Sequence, residues 1–284
     1  MLSPNHFMNS RHFAAGLTLL LSSVQTLSAQ ETNPLAGATE KNTAHKLAFP
    51  NPVFRLIGIE NTLKKQGVKI DWSAHYDKLA ATKLDASALK GDKGRLGFAV
   101  GVRLADGAIA LLAKEKSKIA AAARDAEEFA GLLGIPKQQI TSGKSLLKAI
   151  EDNDWGAIFE EMGWIQQEIV SQIDNKDKDL SMTALVACGA WLQGIRYATS
   201  IVSDNMAAED LSNSLRGPAV IEGILAELRK APKDIQALKA VKDSVAVLEE
   251  LKPLVSIKRD EKIPHDKLKL IHDLATQATQ SVLN

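Results

Sequence analysis

Two arginines stand inside stretches that are otherwise apolar, and that placement forces each to find an anionic or polar partner. Arg103 lies in Gly97-Phe-Ala-Val-Gly-Val-Arg-Leu-Ala105, and Arg196 in Ala190-Trp-Leu-Gln-Gly-Ile-Arg-Tyr-Ala198. A guanidinium stays charged in the protein interior and presents its donors as a fork that suits carboxylate or phosphate. Asp106, three residues after Arg103, is placed to satisfy the first arginine on its own helix. Arg196 has Thr199 and Ser200 close by but no carboxylate one turn away, so its partner comes from another helix or is a bound anion. Two readings follow. In the first, each arginine closes a buried ion pair with a Glu or Asp of a neighbouring helix. In the second, Arg103 and Arg196 are ligand-binding residues that hold a small anion, a carboxylate or phosphate, between two related parts of the chain.

Other constellations fall short of a reaction. Ser142-Gly-Lys-Ser145 echoes the end of a phosphate-binding loop, but Gln138 stands where that loop needs its first glycine and no strand precedes it. His265-Asp266 and His272-Asp273 repeat a unit at a spacing of seven, without the i, i+4 pair a metal prefers, and are expected on an exposed polar face opposite Leu268 and Ile271. Glu160, Glu161 and Glu168, with Asp152 and Asp154, read as a solvated acidic face over the buried indoles of Trp155 and Trp164. Asp174-Asn-Lys-Asp-Lys-Asp179 lacks the glycine and terminal glutamate of a calcium loop and reads as a surface turn. Cys188 sits among apolar residues as a buried, inert thiol. No catalytic set, no metal site and no cofactor is implied.

The elements that must position the arginines are helices. Pro136, Pro218, Pro232 and Pro264 stand where helices begin, Gly134 and Gly217 where they end, and Asp71 and Asp154 precede tryptophans as N-caps. Ile235, Leu238, Val241, Val245, Leu248 and Leu251 recur at steps of three and four, predicting one helix between Pro232 and Pro253. The spacing after Pro264 predicts another. No segment reads as a strand. The fold class is all-α: a multi-helix bundle with two apolar central helices, about 96–113 and 183–202, surrounded by amphipathic ones.

The two arginine-bearing stretches align without a gap, matching Phe98 with Trp191, Gly101 with Gly194 and Arg103 with Arg196. Upstream, Asp71-Trp72-Ser-Ala74 resembles Asp154-Trp155-Gly-Ala157. We read a diverged internal duplication, with repeats at about 70–134 and 153–217 and C-terminal helices over 218–284. Gly97, Gly101 and Ala105 form a ridge of small residues, repeated by Ala190, Gly194 and Ala198, and helices are expected to cross closely there.

The amino terminus carries an address. Arg11 precedes the apolar run Phe13–Leu21, and Leu27-Ser28-Ala29 offers a small residue at a cut, so residues 1–29 read as a cleavable signal peptide. Residues 30–52 are a polar, proline-marked leader, and residues 53–284 form one helical domain. Removing the signal takes Arg11 from the 35 basic residues and none of the 34 acidic ones, which leaves a mature chain balanced at zero. A neutral chain has no overall field to attract nucleic acid or an anionic membrane. The arginines near the middle of the two apolar stretches make membrane spans costly, so no stable membrane insertion is expected after cleavage. The absence of an Asn-X-Ser/Thr sequon fits a bacterial periplasm, with secretion the runner-up. The sequence reads as an exported, non-enzymatic binding or scaffold module whose partner is a protein or a small anionic ligand.

Overall fold

The computed structural model describes residues 52–80, 84–177, 180–205, 211–258 and 261–284. The signal and the leader lie outside the described residues, except Pro52, which opens the first helix. Twelve α-helices follow one another, and no strand occurs among the described residues. In chain order they are α1 (Pro52–Lys65), α2 (Trp72–Leu79), α3 (Ala86–Leu89), α4 (Lys93–Leu112), α5 (Lys116–Leu132), α6 (Ser142–Asp152), α7 (Trp155–Asp177), α8 (Ser181–Asp204), α9 (Pro218–Lys230), α10 (Lys233–Ala237), α11 (Lys239–Val255) and α12 (His265–Leu283). Single 3₁₀ turns lie at Lys137–Gln139 and Leu211–Leu215. Among the described residues no helix is long and apolar enough to cross a membrane.

Local chemistry explains the boundaries. Asp71 accepts from the Ala74 amide at 3.0 Å, Asp154 from Ala157 at 3.0 Å, and Asp92 from Arg95 at 3.0 Å, so carboxylates satisfy first-turn amides of α2, α7 and α4. Gly134 closes α5 in the left-handed region at φ +86°, a conformation that costs glycine nothing. Gly217 instead precedes α9, with Pro218 filling its first position.

Three expectations need correction. The helix predicted between Pro232 and Pro253 is two, because Leu238 is extended at ψ 137° and its side chain packs beside Gly94 at the start of α4. The second of them, α11, runs through Pro253 to Val255, so the amide that would bond the Glu249 carbonyl is missing from its last turn. The residues Asp174 to Asp177 are the last turn of α7 rather than a surface turn, while 178–179 lie outside the described residues. Trp164 is 49% exposed rather than buried under acidic residues.

α4 and α8 are buried without a break from Leu96 to Leu111 and from Ser181 to Val202. Their contacts climb together: Gly97 faces Met182, Gly101 faces Val186 to Ala190, and Asp106 meets Gln193 and Tyr197. The two helices are therefore parallel neighbours. They touch backbone to backbone, since a Cβ on Gly101 would lie 1.9 Å from the Val186 carbonyl oxygen and one on Gly189 would lie 2.1 Å from that of Phe98. The α8 glycine at this crossing is Gly189, about a turn before the Gly194 singled out by the repeat. α5 covers α4, while α9 and α12 cover α8.

Candidate functional site

Both arginines join one buried polar network, and its centre is Asp106. That carboxylate has no exposed surface. Its Oδ2 pairs with Arg103 Nη1 at 3.0 Å, and its Oδ1 accepts from Gln193 Nε2 at 2.6 Å and from the Tyr197 hydroxyl at 2.9 Å. Burial pushes the Asp106 carboxyl up, while Arg103, Gln193 and Tyr197 all pull it down. Burial and the adjacent Asp106 raise Tyr197, so its hydroxyl remains a donor. Arg103 reaches outward as well, with Nε 2.9 Å from Asp125 on α5. Arg196 donates to the Gln193 side-chain carbonyl at 2.5 Å and to the Thr276 hydroxyl of α12 at 3.1 Å. Among the described residues Arg196 has no ion pair, and Asp106 acts on it only through its field. The chain Asp125, Arg103, Asp106, Gln193, Arg196 thus links α5, α4, α8 and α12 through protein groups. The cross-helix carboxylate expected for Arg196 is replaced by an amide from its own helix.

The open polar site lies on the other side of Arg196. A cleft of about 240 Å³ opens between α2, α8 and α12. From α2 comes Lys78, which makes no ion pair among the described residues. From α8 come the hydroxyls of Thr199 and Ser200 and the carboxylate of Asp204; from α12 come His265, Lys269 and His272. Lys269 is paired with Asp273. Neither Arg103 nor Arg196 lines the cleft, although Arg196 stands just behind His272, lowering its pKa.

No family model, curated protein or solved structure matches this chain. Its chemistry is therefore argued from the residues alone.

Two histidines are drawn into this region, one of them, His272, against expectation. His272 was expected on an exposed polar face, but its Nδ1 lies 3.0 Å from the Thr199 hydroxyl and the ring is half-buried. The spacing carried the signal: four residues from Leu268 is 400°, only about 40° round the helix, so His272 flanks the core stripe. His75 is 8% exposed, with Nδ1 3.3 Å from the Ser200 hydroxyl and Nε2 3.9 Å from Asp204. It too was legible, because Trp72, His75 and Leu79 at i, i+3 and i+7 make the buried stripe of α2. A serine, histidine and carboxylate meeting here do not make a nucleophilic triad, since 3.9 Å is too long for the orienting hydrogen bond.

Burial lowers both histidines below their ordinary 6.5, and for His272 the Arg196 charge lowers it further. The folded protein thus binds fewer protons than the unfolded chain once the pH falls below 6.5. Stability is full above that value and is lost as the pH falls from it towards the lowered folded values. His272→Phe is expected to make the urea midpoint fall less between about pH 7.5 and about pH 5 than it does in the wild type, a comparison that cancels the opposite contribution of Asp106 and Glu127, whose carboxyls burial raises. A pH dependence left unchanged by His272→Phe would contradict a buried, neutral imidazole.

The remaining candidates are inert. No cluster of His, Cys, Asp and Glu among the described residues could hold a metal ion. Ser142-Gly-Lys-Ser145 forms the first turn of α6, and Glu168 already occupies it, accepting from the Ser142 amide at 3.1 Å and the Thr141 hydroxyl at 2.7 Å. Cys188 is fully buried, and burial pushes its thiol up to about 12.

Proposed function

We propose that this chain is an exported, non-enzymatic helical module that binds a small anion in the cleft between α2, α8 and α12. The observation that carries the reading is convergence. Three helices bring Lys78, Lys269, two histidines and the hydroxyl residues Thr199, Ser200 and Ser203 to one open cleft, against the single carboxylate of Asp204. Arg196 adds its charge from behind the wall. A ligand gripped directly by Arg103 and Arg196 has less support, because their donors go to Asp106, Asp125, Gln193 and Thr276.

Export rests on Arg11, the Phe13–Leu21 run and Ala29, and places the mature protein in the periplasm on this reading. The duplication remains part of the proposal, supported by the gap-free match of 97–105 with 190–198. If it occurred, the copies have since taken unequal roles, because the close crossing uses Gly101 and Gly189 rather than equivalent positions.

Native mass spectrometry of the mature protein against phosphate, sulfate and acetate tests the binding reading. One bound anion, weakened strongly by Lys78→Glu, is the expected result. A protein that takes up none of the three, or binds equally well as Lys78→Glu, would refute it.

A further inference from the structure

The hydrogen-bond pattern around His272 fixes which kind of anion the cleft suits. Thr199 has one hydroxyl hydrogen. It points into its own helix, where the Ile195 carbonyl lies at 2.7 Å and the Arg196 carbonyl at 3.1 Å. The Thr199 oxygen can then only accept from His272 Nδ1, 3.0 Å away. Neutral His272 therefore carries its hydrogen on Nδ1 and leaves Nε2 with a bare lone pair.

The cleft is thus not a simple nest of donors. Lys78 and Lys269 donate, but the carboxylate of Asp204 accepts, and His272, whose Nδ1 is already taken by Thr199, lines the same space with Nε2 as its remaining ring nitrogen. Asp204 is more than half exposed, and the His75 ring stands 3.9 Å from it, beyond hydrogen-bond distance, so it retains capacity to accept. An anion without hydrogens would meet the Asp204 charge and the His272 lone pair with no hydrogen to share, and like charges in close approach repel. An anion bearing its own O–H satisfies donors and acceptors together.

Resting on the anion-binding reading above, we infer that the cleft selects an oxyanion that carries a hydrogen, inorganic phosphate or a phosphate monoester, over sulfate, and that His272 and Asp204 are the selecting residues. Sulfate has the same tetrahedral shape but no hydrogen to give near neutral pH, which makes it the discriminating probe. Inorganic phosphate and a monoester share the recognition chemistry, and the relative affinity of glycerol 3-phosphate distinguishes them as sources.

The test is isothermal titration calorimetry of the full mature chain at about pH 6.5, where most inorganic phosphate retains a hydrogen and roughly a quarter of a phosphate monoester does. Inorganic phosphate, glycerol 3-phosphate and sodium sulfate are the three titrants. At least one phosphate is expected to bind more tightly than sulfate, by on the order of tenfold. Asp204→Asn exchanges an exposed acceptor for a group that also donates, and is expected to strengthen sulfate and close most of the gap. His272→Phe keeps a planar ring and is expected to weaken phosphate to the level of sulfate, with circular dichroism checking that the helices persist. Equal affinities in the wild type, or a ratio that neither substitution moves, would overturn the selectivity while leaving an anion cleft in place. No heat from any of the three anions would overturn the binding reading itself.

Discussion

Gly101→Ala is expected to cost about 3 kcal/mol or more, and Gly101→Leu to leave no cooperatively folded protein. A single methyl at this position would sit 1.9 Å from the Val186 carbonyl oxygen and 2.6 Å from the Ala190 amide nitrogen. Both atoms are backbone, so no rotamer change relieves the overlap, and α4 must move away from α8 along their shared buried length. Overpacking that only displaces side chains is cheaper. A matched control is Gly163→Ala in α7, where nothing lies within 4 Å of the added carbon. There the helix gains propensity, and stability is expected to rise by roughly 0.5–1 kcal/mol. Urea denaturation of the two variants measures both effects. A Gly101→Ala midpoint equal to that of wild type would mean that the helices are not in backbone contact.

Asp106→Ala is the second large effect, with an expected loss of about 3–5 kcal/mol. The substitution removes the acceptor for Arg103, Gln193 and Tyr197 at once, at a position with no exposed surface. Arg103 retains Asp125, which is why the loss is not larger. A double-mutant cycle separates the ion pair from the rest. Arg103→Met should cost much less in the Asp106→Ala background than in the wild type, because the guanidinium is already short of a partner there. Additive losses would show that the two side chains act independently, against the 3.0 Å contact.

The helical class was legible because caps and breakers act locally. Asp71 and Asp154 cap as expected, and Gly134 closes its helix with positive φ. Asp106 was readable as Arg103's partner because i+3 fixes their distance on one helix. Gln193 and Tyr197 as its other partners were not readable, since which turn of α8 faces Asp106 depends on how α4 and α8 pack. The same dependence hid Gly189, which has no ridge of its own in the sequence yet meets the Phe98 backbone. The cleft draws on three helices whose lining residues stand 61 positions or more apart in the chain (Asp204 to His265), beyond any spacing rule. Its histidines could be placed beside a core stripe, but the hydroxyls that orient them could not be assigned. Leu238 broke a regular apolar pattern because tertiary contact with Gly94 outweighed helix propensity.

The parallel pairing of α4 and α8 has a consequence in time. Asp106 receives its hydrogen bonds from residues 87 and 91 positions further along the chain. As the polypeptide emerges N-terminus first, α4 is made long before the helix that completes it, and α5, α6 and α7 must pass in between. Until then the Asp106 carboxylate is better solvated by water than buried, and the flank meant for α8 stays open. The first half of the chain therefore has no finished core of its own. Closing this long loop is the slow, late step that the topology imposes on folding. A chain cut before Ser181 would be left waiting for a partner, exposed to chaperones and proteases rather than arrested in a small native domain.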